Sequence, residues 1–162
     1  MNTIESQNFI VFISTPISGF SDIELYQIKD ACGVIDRIVR GKMEGCDTFC
    51  VAMEISSVNK NETPEVSAER DFLAIDNCSA FILLYPRPVP SSALVELGYA
   101  IALNKPILIV APSKSTVPFI VKGLINCRPR NISLALFDFL MNLDEAPVLD
   151  FLRAHLEPLH KI

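Results

Sequence analysis

The chain has 162 residues, half of them hydrophobic and a fifth charged, with a formal net charge of -5. That length suggests one domain spanning 1–162 with a real core, and the composition excludes a disordered chain. The acidic balance, without a block of Lys or Arg, excludes a nucleic-acid backbone as the main partner, because neutralising phosphates needs a basic patch. Arg37, Arg40 and Lys42 lie close together, but at the end of an expected helix, where cations suit the dipole. Met1 to Asn8 is polar and lacks the apolar core of a secretory signal. The longest apolar run, Ala80 to Tyr85, is strand-sized and far short of the roughly 20 residues that cross a bilayer. A cytoplasmic protein with no membrane partner is the expectation. The five cysteines are odd in number and lack paired metal-ligand spacing. Cys46 and Cys50 have no companion histidine, since His155 and His160 stand at the far C-terminus. No metal and no cofactor are expected, and the thiols read as buried residues in a reducing compartment.

Phe9 to Ser14 is a β-branched and aromatic run that fits a strand buried on both faces. Pro16 and Gly19 mark a loop from Thr15 to Ser21. Asp22 suits an N-cap, and Leu25, Ile28, Cys32, Ile35 and Val39 recur at helical spacing to about Arg40, with Gly41 as the stop. A second strand is expected over Thr48 to Met53, a polar loop over Ser56 to Thr63, and a helix opened by Pro64 and running to about Asn77. Ser79 to Tyr85 reads as the third strand. Pro86, Pro88 and Pro90 force a loop. An apolar helix around Glu96 follows, then a strand from Ile107 to Ala111, a helix from about Val117 to Ile125, a strand near Asn131 to Phe137, and a last helix capped by Asp144 and reaching about His160.

Helices alternating with continuous apolar strands predict a parallel sheet covered on both faces. With right-handed crossovers, the expected architecture is α/β, a flavodoxin-like, doubly wound, five-stranded parallel sheet of order 2-1-3-4-5 in three αβα layers. Its switch point falls between strands 1 and 3, which brings the Ser14 to Ser21 loop and the Tyr85 to Ser92 loop to one crevice.

The first of those loops carries Ser14, Thr15, Ser18 and Gly19. Small hydroxylic residues and glycine let a ligand approach the backbone, and the helix that follows favours an anion. An ordinary strand-to-helix turn would look the same, and neither a Walker loop nor a dinucleotide fingerprint is present. The second loop delivers Ser91 and Ser92 and then Glu96. A carboxylate in the first turns of a helix has two readings: a partner for the helix dipole, or a nucleophile or acid/base at the mouth of the sheet. Asp71, in Glu69-Arg70-Asp71, could meet Glu96 there, or could be a solvated residue paired with a neighbouring Arg. Two carboxylates whose surroundings push their pKa values apart suit nucleophile and acid/base roles.

These residues resemble the nucleoside 2-deoxyribosyltransferase family, which includes nucleoside monophosphate N-glycosidases. Val11-Phe12-Ile13-Ser14-Thr15-Pro16-Ile17-Ser18-Gly19 is similar to its opening strand and ligand loop, Glu69-Arg70-Asp71 to its Asp helix, and Glu96 to Ile107 to its catalytic segment. The match spans roughly Ile10 to Ala111. The resemblance implies cleavage of an N-glycosidic bond in a nucleoside or nucleotide, with Glu96 as nucleophile through a glycosyl-enzyme and Asp71 protonating or orienting the base. It implies that Thr15, Ile17, Ser18 and Gly19 line the sugar and base pocket and that Ser91 and Ser92 contact the sugar or a 5′-phosphate. It also implies a homo-oligomer, for which the apolar stretch Ala135 to Leu143 offers surface. Pro90 and the bulky Ala93-Leu94-Val95 depart from the family pattern, and Ser18 stands where its monophosphate-specific branch has a basic residue. Two alternatives remain: a TIR-type NAD-cleaving enzyme, whose layout also sets a Ser-containing loop before a helix Glu, and a non-catalytic nucleotide-sensing module.

Overall fold

A computed structural model describes residues 8–54, 63–137 and 143–157. Its strands are β1 (Phe9–Ser14), β2 (Cys46–Phe49), β3 (Ala80–Leu84), β4 (Ile107–Ala111) and β5 (Ile132–Leu136). Its helices are α1 (Asp22–Lys42), α2 (Val51–Glu54), α3 (Pro64–Asn77), α4 (Ser92–Ala102), α5 (Phe119–Cys127) and α6 (Glu145–Leu156). The sheet order is β2-β1-β3-β4-β5, every pairing parallel, as the alternation of strands and helices predicts.

Burial on both faces explains the unbroken apolar strands. Every residue of β3 and β4 is buried. Val11, Ile13, Ile82, Leu84, Leu108 and Val110 point to a core closed by α1 and α6. Phe12, Phe81, Leu83, Ile107 and Ile109 point to the opposite core, closed by α3, α4 and α5. Phe12 sits in register with Phe49 and Phe81, and its ring stacks on theirs at centroid distances of 5.3 and 5.4 Å.

Local signals place most boundaries, and several expectations are corrected. The N-cap of α1 is Ser21, not Asp22. The Glu24 N–H donates to Ser21 Oγ while Glu24 Oε2 accepts from the Ser21 N–H at 2.8 Å, a reciprocal box that leaves Asp22 in the first turn. Gly41 lies inside α1. The chain turns instead at Gly45, whose φ of 65° suits glycine and whose carbonyl accepts from the Phe9 N–H at 2.9 Å. The expected strand over Thr48 to Met53 is replaced by β2, which ends at Phe49, and by the short α2. As an edge strand β2 pairs only with β1, and it stops at Phe49, opposite Phe12, although β1 runs on to Ser14.

Thr63 caps α3 with Pro64 in its first turn, and Asp144 accepts from the Ala146 N–H at the start of α6. The helix expected over Val117 to Ile125 lies two residues later. The loop expected over Ser56 to Thr63 falls, up to residue 62, outside the described residues, as does the end of the last helix beyond Glu157. No helix among the described residues is long and apolar enough to cross a membrane.

Candidate active site

The C-terminal end of β1 opens into a recess with about 310 Å³ of free space, part of it open solvent. Phe12 and Ser14, at the end of β1, form its floor. Asp71 of α3 and Ser92 and Glu96 of α4 face it from one side, Thr15 and Ile17 from another, and Val51 and Ala52 of α2 complete the wall. The end of β1 and three helices, α2, α3 and α4, thus surround one hollow beside the switch point.

Glu96 lies on the second turn of α4, and its carboxylate turns into the recess. Ser14, 2 % exposed, donates its hydroxyl to Glu96 Oε2 at 2.6 Å. That length fits a hydrogen bond to an ionised acceptor. Burial is the largest influence on Glu96 and raises its pKa above the ordinary carboxylate value of 4.5. The hydroxyl of Ser14 pulls it down, the Asp71 charge raises it, and Ser92 and Arg70 lower it, with a net upward shift. The result is a carboxylate more basic than usual, held on one oxygen.

Asp71 is paired with the neighbouring Arg but is not solvated. Its side chain lines the recess and is 15 % exposed, while Arg70 donates through Nε and Nη2 to Oδ1 at 3.0 Å each. The adjacent cation offsets the charge that a second buried carboxylate would impose on Glu96.

Thr15 Oγ1 and Ser91 Oγ are buried and find no hydrogen-bond partner among the described residues. An unsatisfied buried hydroxyl costs about 1–3 kcal/mol, so each is suited to a ligand that supplies the missing partner. Thr15 lines the recess. Ser91 is the N-cap residue of α4, makes no side-chain cap bond and stands behind the lining. Ser18 and Gly19 are exposed and also lie outside the lining. The structure thus brings together Ser14, Thr15, Ile17, Asp71, Ser92 and Glu96, and leaves Ser18, Gly19 and Ser91 at the periphery.

Val51 and Ala52 escaped the sequence reading because a segment read as strand carries no signal for a wall-forming helical turn. Arg87 escaped it as well. From the proline-rich loop after β3, it reaches the carbonyl of Gly19, the ring of Phe20 and the carboxylate of Glu24.

Several residues of the Glu96 to Ile107 segment hold the fold. Tyr99 Oη donates to Asp76 at 2.7 Å, Lys105 Nζ donates to the carbonyls of Asp76 and Cys78 at 2.8 and 2.7 Å, and Asn104 takes a left-handed turn at φ 54°. Lys105 thereby satisfies carbonyls at the C-terminus of α3, where a cation also suits the dipole. Among the described residues, no group of three or more His, Cys, Asp or Glu could hold a metal ion. His155 packs against Phe151 at 4.9 Å on α6, and His160 lies outside the described residues.

No protein-family model matches the sequence, and no curated protein matches it. Solved structures do. The CMP N-glycosidase BcmB of Clostridium botulinum aligns with a TM-score of 0.60 and 20% identity, over 88% of this chain and 97% of that one. A 2-desoxiribosyltransferase from Leishmania mexicana aligns at a TM-score of 0.44 and 20% identity, over 70% of each chain. At this identity the likeness concerns the backbone, so the chain is identified as sharing the flavodoxin-like α/β fold of the clostridial N-glycosidase.

Proposed function

We propose that this chain cleaves or transfers the N-glycosidic bond of a nucleoside or nucleotide, in the manner of the nucleoside 2-deoxyribosyltransferase family. The observation that carries the proposal is the Glu96 carboxylate, turned into the recess, hydrogen-bonded to Ser14 and made more basic by burial and by Asp71. In this reading Glu96 attacks C1′ of the sugar, the C1′–N bond breaks, and its electron pair leaves with the base. Asp71 supplies or steers the proton that the base acquires. Water or a second base then attacks C1′ and frees Glu96. Thr15 Oγ1 supplies a hydrogen bond to the ligand. Ser92, on the first turn of α4, lies where the helix N-terminus favours a negative charge. The fold shared with a CMP N-glycosidase supports this reading and makes CMP the first compound to try. A cytoplasmic homo-oligomer belongs to the same proposal. Exposed Val95, Phe119 and Ile120 on α4 and α5 offer apolar surface for it, while the Ala135 to Leu143 stretch lies partly outside the described residues.

The test incubates the purified protein with CMP, other ribo- and deoxyribonucleotides, free nucleosides and NAD, and identifies released bases by mass spectrometry. Base release from one of the nucleosides or nucleotides, abolished by Glu96→Gln and reduced by Asp71→Asn, is the expected result. Release of nicotinamide alone would indicate the TIR-type alternative. A rise in thermal stability with a nucleotide but no released base would indicate a sensor. Wild-type turnover in Glu96→Gln would remove Glu96 from the nucleophile's role.

A further inference from the structure

We propose that Arg87 is a latch joining the two loops that flank the recess, a positioning residue that sets how tightly the site holds its ligand. The affinity part of this inference rests on the activity proposed above; the latch itself does not. The two loops are held in different ways. The loop after β3 carries Pro86, Pro88 and Pro90, whose rings fix φ. Tyr85 Oη pins it further, donating to the Val89 carbonyl and accepting from the Val89 N–H at 3.2 Å each. The loop after β1 carries Thr15 and Ile17 into the recess wall and then reaches Gly19 at φ 85°, where a Cβ would meet nothing within 4 Å. Ile17 and Phe20 anchor the loop on the core at either side, and Arg87 meets it between and beside them.

Arg87 crosses from the loop after β3 to the loop after β1 and the start of α1 and grips them three ways. Its Nη2 donates to the Gly19 carbonyl, its guanidinium carbon lies 4.5 Å from the centroid of the Phe20 ring, and its Nε stands 3.6 Å from Glu24 Oε1. A planar fork can meet a carbonyl, a ring and a carboxylate together, which a lysine ammonium cannot do. Each contact is modest alone, since Arg87 and Glu24 are 46 and 42 % exposed. Together they tie the two loops to each other outside the lining of the recess, and the loop they hold carries Thr15, with its unsatisfied hydroxyl, into that lining. Loosening that loop leaves Glu96 and Ser14 in place, because both are fixed by α4 and β1.

The test compares wild type, Arg87→Ala and Arg87→Lys by two readouts. In hydrogen exchange, Arg87→Ala is expected to speed exchange of the amides of residues 15–21 about tenfold while protection of β3 is unchanged, with Arg87→Lys intermediate. In turnover of whichever nucleotide the panel shows is cleaved fastest, Arg87→Ala is expected to raise KM about tenfold with kcat within about twofold. Unchanged loop exchange overturns the latch, and faster exchange with unchanged KM overturns its role in affinity. If wild type cleaves nothing, the proposed activity fails by itself and the exchange experiment still decides the latch.

Discussion

Replacing Ser14 by alanine isolates the contact that holds the recess carboxylate. The hydroxyl is buried and its bond to Glu96 is 2.6 Å long. A hydrogen bond to an ionised group contributes about 1.5–3 kcal/mol, and one between neutral groups about 0.5–1.5 kcal/mol. Alanine leaves the carboxylate in the same low-dielectric hollow, beside Asp71, with one stabilising donor fewer. Ser14→Ala should therefore destabilise the fold by about 1.5–3 kcal/mol at pH 7.5. At about 2–4 °C per kcal/mol for a domain of this size, Tm should fall by roughly 3–12 °C. In a Glu96→Gln background the acceptor is neutral, and the same substitution should cost only about 0.5–1.5 kcal/mol. A double-mutant cycle read by urea unfolding supplies both values. Far-UV circular dichroism is the suitable signal, because the chain has no tryptophan. The difference between backgrounds should shrink as pH falls and vanish well below 4.5, where Glu96 is protonated in folded and unfolded chains alike. Equal costs in both backgrounds at pH 7.5, each under about 0.5 kcal/mol, would refute a charge-assisted Ser14–Glu96 bond.

Three further outcomes are expected. Because the native pKa of Glu96 is raised above 4.5, the folded state holds that proton more tightly than the unfolded state, and wild-type stability is lost as pH rises from 4.5 through the native pKa. Glu96→Gln lacks this loss, so it should match wild type near pH 4 and melt higher at pH 7.5, and equal melting of the two proteins at both pH values would count against a desolvated carboxylate. Burial pushes the Cys78 thiol up to about 11, whereas Cys127 is exposed. An alkylating agent at pH 8 should therefore label Cys127 quickly and Cys78 only after denaturation, and comparable native rates would show that Cys78 is open to solvent. Lys105→Met should lower Tm by roughly 2–8 °C through loss of the two carbonyl contacts while leaving base release unchanged, and a selective loss of kcat would give Lys105 a part in the chemistry.

Strand order and layer arrangement were legible in the chain because they follow from local patterns that tertiary contacts reinforce. Ala80 to Leu84 and Ile107 to Ala111 are apolar at every position, which only a strand covered on both faces requires, and α/β crossover rules then leave few topologies. Pro64 and Asp144 marked helix starts because caps act within one turn. Features fixed by partners distant in sequence were hidden. Val51 to Glu54 is helix although β1 runs on past Phe12 to Ser14, a break that the β-forming residues of the segment do not mark. Of the hydroxylic and small residues singled out around the crevice, only the fold separates Thr15 and Ser92, which line it, from Ser18, Gly19 and Ser91, which do not. Arg87 looks in sequence like any charged loop residue, and Lys105 like part of a functional segment. Sequence alone therefore determined the layered sheet and a short roster of polar residues near its switch point, since apolar periodicity and turn chemistry are written locally. The tertiary structure alone decided that Ser14 and Glu96, 82 positions apart, share a hydrogen bond, because side-chain direction and desolvation exist only once β1, α3 and α4 are packed together.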